Sequence, residues 1–177
     1  MPTKAIFLDR DGTLNRDTGY VFQPKDWIWL DKVPETLARL HAWGWFLVVV
    51  SNQSGIARNY YTASDLHALE QWVNSELKAW DTKIDAWYHC PHLPEITGPC
   101  SCRKPDCGML LRAACDHHIS LKDSWMIGDR VSDVQAGIRA NVRCIKIATQ
   151  KSDDDMARSL GAYVLPNLAA CLDLLRI

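Results

Sequence analysis

Ala5-Ile6-Phe7-Leu8-Asp9-Arg10-Asp11-Gly12-Thr13-Leu14-Asn15 is the stretch that decides the fold. Its first four residues form an unbroken apolar run, the pattern of a strand buried on both faces. The run ends on two carboxylates two residues apart. Residues i and i+2 of a strand share one face, so Asp9 and Asp11 can converge on one point at its carboxyl end. Two such charges at close range repel each other, and a cation is their natural partner. Gly12 allows an unusual turn there and close approach of an anion.

Outward from this stretch, short apolar runs alternate with longer helical patterns. Strands are predicted at Ala5–Leu8, Phe46–Val50, Ala86–His89, Trp125–Ile127, Cys144–Ile147 and Tyr163–Leu165. Helices are predicted at Pro34–Trp43, Thr62–Trp80, Gly108–His117, Ser132–Ala140 and Asn167–Leu175. In the second of these, Thr62 and Asp65 resemble a capping pair, and Leu66, Leu69, Val73, Leu77 and Trp80 recur at helical spacing. The acidic run Asp153-Asp154-Asp155 reads as a solvated helix start or a loop. Alternation of this kind predicts an α/β fold: a doubly wound, mainly parallel sheet with helices on both faces. In such sheets sites form beyond the carboxyl ends of the strands.

Composition bounds the rest. The chain has 177 residues, 47% of them hydrophobic, enough for one domain with a core of its own. Lys and Arg number 20 against 21 Asp and Glu, so the net charge of −1 gives no general attraction to nucleic acid or membrane. The apolar run Trp43–Val50 is too short to span a bilayer, which needs about 20 residues. No signal peptide fits the first residues. The expected location is the cytoplasm, where the seven cysteines are reduced or metal-bound.

Leu8-Asp9-Arg10-Asp11-Gly12-Thr13-Leu14-Asn15 resembles the first signature of the haloacid-dehalogenase-like (HAD-like) phosphatases. The resemblance continues in order. Ser51-Asn52-Gln53-Ser54-Gly55-Ile56-Ala57 follows the second strand, Arg103-Lys104-Pro105 resembles the lysine motif, and Gly128-Asp129-Arg130-Val131-Ser132-Asp133 follows the fourth strand. It implies that Asp9 is the nucleophile, forming an aspartyl phosphate, and that Asp11 is the general acid and base. It implies Mg²⁺ on the carboxylates of Asp9 and Asp129 and the carbonyl of Asp11. The Ser51 hydroxyl, the Asn52 amide and Lys104 would steady the phosphoryl group. Asp133 reads equally well as a supporting residue of the site or as a first-turn helix acid.

Cys90–Asp106 breaks the alternation, with four prolines and no periodicity. A structureless stretch of this length is uncommon in a compact domain. It carries Cys90-Pro91-His92 and Cys100-Ser101-Cys102, which is a tetrahedral zinc set of Cys90, His92, Cys100 and Cys102. Four protein ligands leave no open position, so this zinc is structural and pins the loop at about 90–105. The remaining cysteines read as ordinary thiols.

The zinc loop followed by Arg103-Lys104-Pro105 resembles the zinc-loop subgroup of these phosphatases, which includes heptose-bisphosphate and histidinol-phosphate branches. Asp17-Thr18-Gly19-Tyr20 and Asn52-Gln53-Ser54 resemble the heptose branch, and Cys90-Pro91-His92-Leu93-Pro94 also looks like the histidinol branch. The first branch implies a small phosphorylated sugar as substrate, in nucleotide-heptose synthesis for lipopolysaccharide or other surface polysaccharide. Asp17, Thr18, Gly19, Tyr20, Asn52, Gln53, Ser54, Arg103, Lys104 and Arg130 would contact that substrate. Asn59 stands where a glycine is common, and Tyr60-Tyr61 is bulkier than usual. The segments between motifs are too short for a separate cap domain, so the chain is expected to be one domain, acting as a monomer, with an open site rimmed by loops. A phospho-aspartate signalling module is a more distant alternative; Asp11 speaks against it, since storing a phosphate needs no general acid.

Overall fold

The structure is a computed structural model and describes residues 2–176. Six strands form one sheet: β1 (Ala5–Leu8), β2 (Phe46–Asn52), β3 (Ala86–Cys90), β4 (Trp125–Gly128), β5 (Arg143–Ile147) and β6 (Tyr163–Leu165). Their order is β3-β2-β1-β4-β5-β6, and every neighbouring pair is parallel. The helices are α1 (Val33–Ala42), α2 (Ala63–Leu77), α3 (Pro94–Thr97), α4 (Gly108–His117), α5 (Val131–Arg139), α6 (Lys151–Ser159) and α7 (Leu172–Leu175).

The two-residue period of β1 sorts its side chains into two cores. Ile6 and Leu8 pack with Leu47, Val49 and Ile127 against α1, α2 and α7. Ala5 and Phe7 pack with Val48, Val50 and Met126 against α4, α5 and α6. Each fully buried side chain of this size contributes about 1.5–3 kcal/mol of transfer free energy. Burial on both faces is what an unbroken apolar strand requires.

The strand order reverses direction between β1 and β4, and a crevice opens there at the carboxyl ends. Every motif singled out in the sequence follows one of the four strands around that reversal.

Three elements differ most from the sequence reading, beside small shifts at other element ends and the short α3 inside the stretch Cys90–Asp106. β2 runs two residues further, through Ser51 and Asn52, because its ladder to β3 continues as Ser51↔His89 and Asn52↔Cys90. Residues 151–159 form a whole helix, α6. Asp154 turns inward from its acidic run to accept from the fully buried Lys146 Nζ at 2.7 Å, so the run is not wholly solvated. The C-terminal helix is broken into a 3₁₀ turn, Ala169–Cys171, followed by α7. Asn167 Oδ1 accepts the Ala170 N–H at 2.9 Å and starts that turn. The Thr62–Asp65 capping box is present, with Asp65 N donating to Thr62 Oγ1 at 3.1 Å and Thr62 N donating to Asp65 Oδ2 at 2.8 Å. α2 ends at Leu77 and tightens into a 3₁₀ turn through Trp80.

Candidate active site

The ends of β1, β2 and β4 and the loop after β3 enclose a cavity of about 340 Å³. Asp9 leaves the sheet with its N–H still donating to Ile127 O at 2.9 Å, so its position is set by the β1–β4 ladder. Lys104 reaches the same point from the loop after β3. Its Nζ donates to Asp9 Oδ1 at 2.7 Å and Val50 O at 2.8 Å, and forms an ion pair with Asp133 Oδ1 at 2.6 Å. Lys104 is 4% exposed and Asp133 1%. Burial alone would push the Lys104 ammonium down, but Asp133 and Asp9 outweigh it and hold it above its ordinary value. Burial pushes the Asp9 carboxyl up, Lys104 pulls it back, and the balance lies above the usual carboxylate value.

Asp133 serves both roles read for it. Its Oδ2 accepts the Arg130 N–H at 3.0 Å and caps α5, while Oδ1 faces Lys104. It can stand so close because residue 128 is glycine; a Cβ there would overlap the Asp133 carboxylate. Gly12 performs the same service for Asp129. At φ +85° it turns the chain after Asp11, and a Cβ on it would overlap Asp129 Oδ2.

Asp9, Asp129 and Asp133 lie close enough to share a cation. Burial first, then repulsion from Asp9 and Asp133, pushes the Asp129 carboxyl up to about 7. Its Oδ1 is buried and has no hydrogen-bond partner among the described residues. A buried carboxylate oxygen without a donor, beside two further acids, fits a hard divalent cation such as Mg²⁺.

Asp11 sits in a different surrounding. Arg10 Nη2 donates to its Oδ1 and Oδ2 at 2.9 and 2.8 Å, Arg10 Nε to Oδ2 at 3.1 Å, and Asn15 Nδ2 to Oδ1 at 3.0 Å. Gln53 Nε2 adds a bond to Oδ2 at 3.1 Å and another to Ser51 Oγ at 2.7 Å. Tyr61 OH donates to Gln53 Oε1 at 2.5 Å, and burial pushes the Tyr61 phenol up to about 12, so it remains a donor at neutral pH. Tyr61 reaches this place only because residue 55 is glycine, whose Cβ would overlap the phenol ring.

Asn52 clamps the lysine loop. Its Oδ1 accepts the Lys104 N–H and its Nδ2 donates to Lys104 O, each at 3.0 Å. The amide oxygen and one Nδ2 hydrogen are thereby occupied, so a contact from Asn52 to a phosphate would come from its second Nδ2 hydrogen or its backbone N–H.

The rim carries the other residues singled out in the sequence. Asp17 Oδ2 pairs with Arg130 Nη2 at 2.9 Å, and its Oδ1 accepts the Gly19 N–H at 3.0 Å. Tyr20 meets Tyr60 edge-on with centroids 4.8 Å apart, and Phe22 stacks on Tyr61 at 5.0 Å. Gly19, Tyr20, Ser54 and Arg103 line the cavity, and Thr18 lies outside its wall. Asn59 has φ +58°, which explains why glycine suits that position and why asparagine serves.

Cys90, His92, Cys100 and Cys102 converge beside this wall. Five edges of the cluster measure 3.1–3.7 Å. A tetrahedron with zinc–sulfur bonds of about 2.3 Å has edges of roughly 3.8 Å. Burial, and then the neighbouring Cys102 thiol, push the Cys90 thiol up, whereas at Cys100 burial is outweighed by hydrogen bonds, which hold that thiol below its ordinary value; a cation among them would favour the thiolate form of all three. The donor set and spacing fit zinc. The loop is fastened to α4 by Gly108 N donating to Ser101 O at 3.0 Å, and Arg103 Nη1 donates to His92 O at 3.1 Å.

Two residues of the site are silent in the sequence. Arg10 reads there as a spacer between the two acids; strand alternation points it away from them, and only its long side chain folds back onto Asp11. Tyr61 stands out only for its bulk, and nothing in its neighbours signals the bond to Gln53.

The HAD-hydrolase-like family matches residues 101–171. The chain is 41% identical to the D-glycero-beta-D-manno-heptose-1,7-bisphosphate 7-phosphatase of Haemophilus influenzae, over 98% of this chain and 96% of that protein. It is 42% identical to the D-glycero-alpha-D-manno-heptose-1,7-bisphosphate 7-phosphatase of Campylobacter jejuni, over 89% and 90% respectively. Among solved structures, the D,D-heptose 1,7-bisphosphate phosphatase of B. bronchiseptica, complexed with magnesium and phosphate, superposes with a TM-score of 0.88. That chain is 32% identical, and the match covers 98% of both chains.

Proposed function

The chain belongs to the D-glycero-D-manno-heptose-1,7-bisphosphate 7-phosphatases, HAD-like phosphoric monoester hydrolases, and from that premise we propose that it removes the 7-phosphate of this heptose bisphosphate through an aspartyl phosphate on Asp9. The observation that carries the reading is one cavity wall shared by Asp9, Asp11, Ser51 and Lys104, with the orphaned Asp129 oxygen beside Asp9.

The residues divide the work. Lys104 fixes the Asp9 carboxylate so that it presents an oxygen to phosphorus. Asp9 attacks, the bond from phosphorus to the C7 oxygen breaks, and Asp11 gives that oxygen its proton. Asp11 then takes a proton from the water that attacks the aspartyl phosphate, releasing inorganic phosphate and regenerating Asp9. The Ser51 hydroxyl and an N–H of Asn52 hold phosphoryl oxygens through both steps. The carboxylates of Asp9 and Asp129 and the carbonyl of Asp11 would hold Mg²⁺, which would supply charge neutralisation at the phosphoryl oxygens. Arg103, Arg130, Asp17, Gly19, Tyr20 and Ser54 form the rim that receives the sugar and its second phosphate, and Thr18 supports it from within the same loop.

Zinc on Cys90, His92, Cys100 and Cys102 is structural and fixes the loop at about 90–105 within a single domain spanning 1–177. The clustered thiols support a reducing compartment, the cytoplasm, on the way to nucleotide-activated heptose.

The test is phosphate release from both anomers of heptose 1,7-bisphosphate and from histidinol phosphate. The expected result is a higher kcat/KM on a heptose bisphosphate; preference for histidinol phosphate overturns the substrate. Asp9→Asn is expected to abolish turnover with the fold and zinc content intact, and wild-type activity in a clean preparation of that variant removes Asp9 as nucleophile.

A further inference from the structure

We propose that Gln53 is a positioning residue, one that aims the Ser51 hydroxyl and the Asp11 carboxyl and does not itself bind the sugar. The inference rests on the roles given to Ser51 and Asp11 above and adds how they are held in step.

Counting hydrogens fixes the direction of each bond. A glutamine amide has two N–H hydrogens and one carbonyl oxygen. Gln53 Nε2 lies 2.7 Å from Ser51 Oγ and 3.1 Å from Asp11 Oδ2, and Oε1 lies 2.5 Å from Tyr61 OH. The polarity of this chain of bonds is not free. When Asp11 is ionised, as it must be to act as base on the attacking water, its carboxylate only accepts, so the nitrogen must then face Asp11 and the oxygen Tyr61. The other hydrogen of Nε2 then goes to Ser51 Oγ. Having accepted there, Ser51 keeps its single hydrogen for a partner on the cavity side, where a phosphoryl oxygen would lie.

Gln53 is 3% exposed, and its three polar positions are engaged by protein. Both amide hydrogens are spent on protein, so Gln53 has no donor left for a sugar hydroxyl, although it lines the cavity. Asp11 and Ser51 come from the ends of different strands, 42 and 2 residues away from Gln53 respectively, and this one amide bridges them. The bridge is braced from behind, since Tyr61 is stacked on Phe22 and fills the space left by Gly55. Replacing the amide by a carboxylate of the same shape, as in Gln53→Glu, reverses the polarity. The new carboxylate would accept from Ser51, turning its hydrogen away from the cavity, and would face Asp11 with a like charge.

The experiment is steady-state kinetics of wild type, Gln53→Glu, Gln53→Ala and Tyr61→Phe on heptose 1,7-bisphosphate and on p-nitrophenyl phosphate, which has no sugar. Both Gln53 variants are expected to lose roughly ten- to hundredfold in kcat on both substrates, with KM changed by less than about threefold. Tyr61→Phe keeps the ring and the stacking and is expected to lose about two- to tenfold, the size of one hydrogen bond. A sugar contact at Gln53 would give a different pattern: KM raised on the bisphosphate, kcat kept, and the aryl phosphate unaffected. That pattern overturns the proposal, as do Gln53 variants with wild-type kcat. Melting curves accompany each variant. If Gln53→Ala unfolds, the shape-preserving Gln53→Glu decides, and if that also fails to fold the role is structural and the proposal falls. A wild-type protein that hydrolyses neither substrate refutes the phosphatase reading itself, a separate outcome.

Discussion

Gly12→Ala separates the metal cradle from the fold, because the structure assigns it two distinct costs. Gly12 has φ +85°, a conformation an alanine adopts only at about 1–2 kcal/mol. For a chain of this length each kcal/mol lowers the melting temperature by about 2–4 °C, so the backbone cost alone is a drop of roughly 2–8 °C. The second cost is local. The new Cβ would overlap Asp129 Oδ2 and stand 2.6 Å from its Cγ, far inside contact distance. The obstacle is the end of a flexible side chain, so Asp129 swings aside and the backbone stays. Swinging aside takes its carboxylate from beside Asp9, and the proposed Mg²⁺ site would lose one of its carboxylates. The expected loss in kcat/KM at limiting Mg²⁺ is about a hundredfold, equivalent to about 2.7 kcal/mol, with partial recovery at high Mg²⁺. Thermal melts and a Mg²⁺ titration of activity measure the two costs independently. A lower melting temperature with the wild-type Mg²⁺ requirement would refute the role given to Asp129. An unchanged melting temperature would refute the strain argument.

Lys104→Met is expected to abolish turnover and to destabilise the fold by about 3–5 kcal/mol, since Asp9 and Asp133 then face each other, buried, with no cation; urea unfolding measures it, and a wild-type midpoint counts against the triad. Removing zinc with a strong chelator, or Cys102→Ser, is expected to expose residues 90–105 to protease and to lower activity through Lys104, two residues from Cys102; unchanged digestion there argues against structural zinc. Asp129 sets a pH dependence. Its carboxyl lies near 7 in the fold against 3.8 ordinarily, so its contribution to the stability of the metal-free protein is full below about pH 4 and lost as the pH rises through 7. Mg²⁺ competes with that proton, so its apparent affinity is expected to fall by up to tenfold per unit below pH 7 and to level off above it. Calorimetry at several pH values tests this, and a flat profile from pH 5.5 to 8 refutes it.

The sheet was legible in the sequence because its central strands are buried on both faces and therefore written as unbroken apolar runs. β1 and β6 end where those runs end. β2 did not, since Ser51 and Asn52 are polar yet still in the ladder; a strand that delivers a functional group must become polar before it stops. α6 was obscured because its inward residues are Asp154, neutralised by Lys146, and the small Ala157, so no stripe of large apolar residues betrays its buried face. At the site, motif order placed Asp9, Asp11, Ser51, Lys104 and Asp129 near one another, since each follows a strand end of a parallel sheet. The side-chain bonds among them were not legible. That Asn52 spends its amide on Lys104, or that Arg10 folds back onto Asp11, depends on rotamers and on three-dimensional neighbours that no spacing encodes. The glycines fall between these cases. Gly12 reads as a turn, but its second duty, making room for Asp129, appears only when β1 and β4 are laid side by side.

The charges in the cavity explain why a chain with almost no net charge can take a dianionic phosphate. Asp9, Asp129 and Asp133 carry −3 when ionised, and Lys104 returns +1, leaving −2 at the point where phosphorus must arrive. Asp11 does not alter this sum, because Arg10 offsets it at 2.8 Å. A phosphate dianion approaching a site of charge −2 is repelled, and in a buried wall that repulsion is poorly screened. One divalent cation brings the sum to zero. Of the rim guanidiniums, Arg130 is already paired with Asp17, while Arg103 gives a hydrogen bond to the neutral His92 O and keeps its charge for the rim. The order of events follows from the sum. The cation must be in place before the phosphate, so phosphate affinity is expected to depend on Mg²⁺ concentration while Mg²⁺ affinity in the absence of phosphate is already appreciable. Isothermal titration in both orders tests it, and tight phosphate binding to the metal-free protein would show that some other positive group, not the cation, balances these three acids.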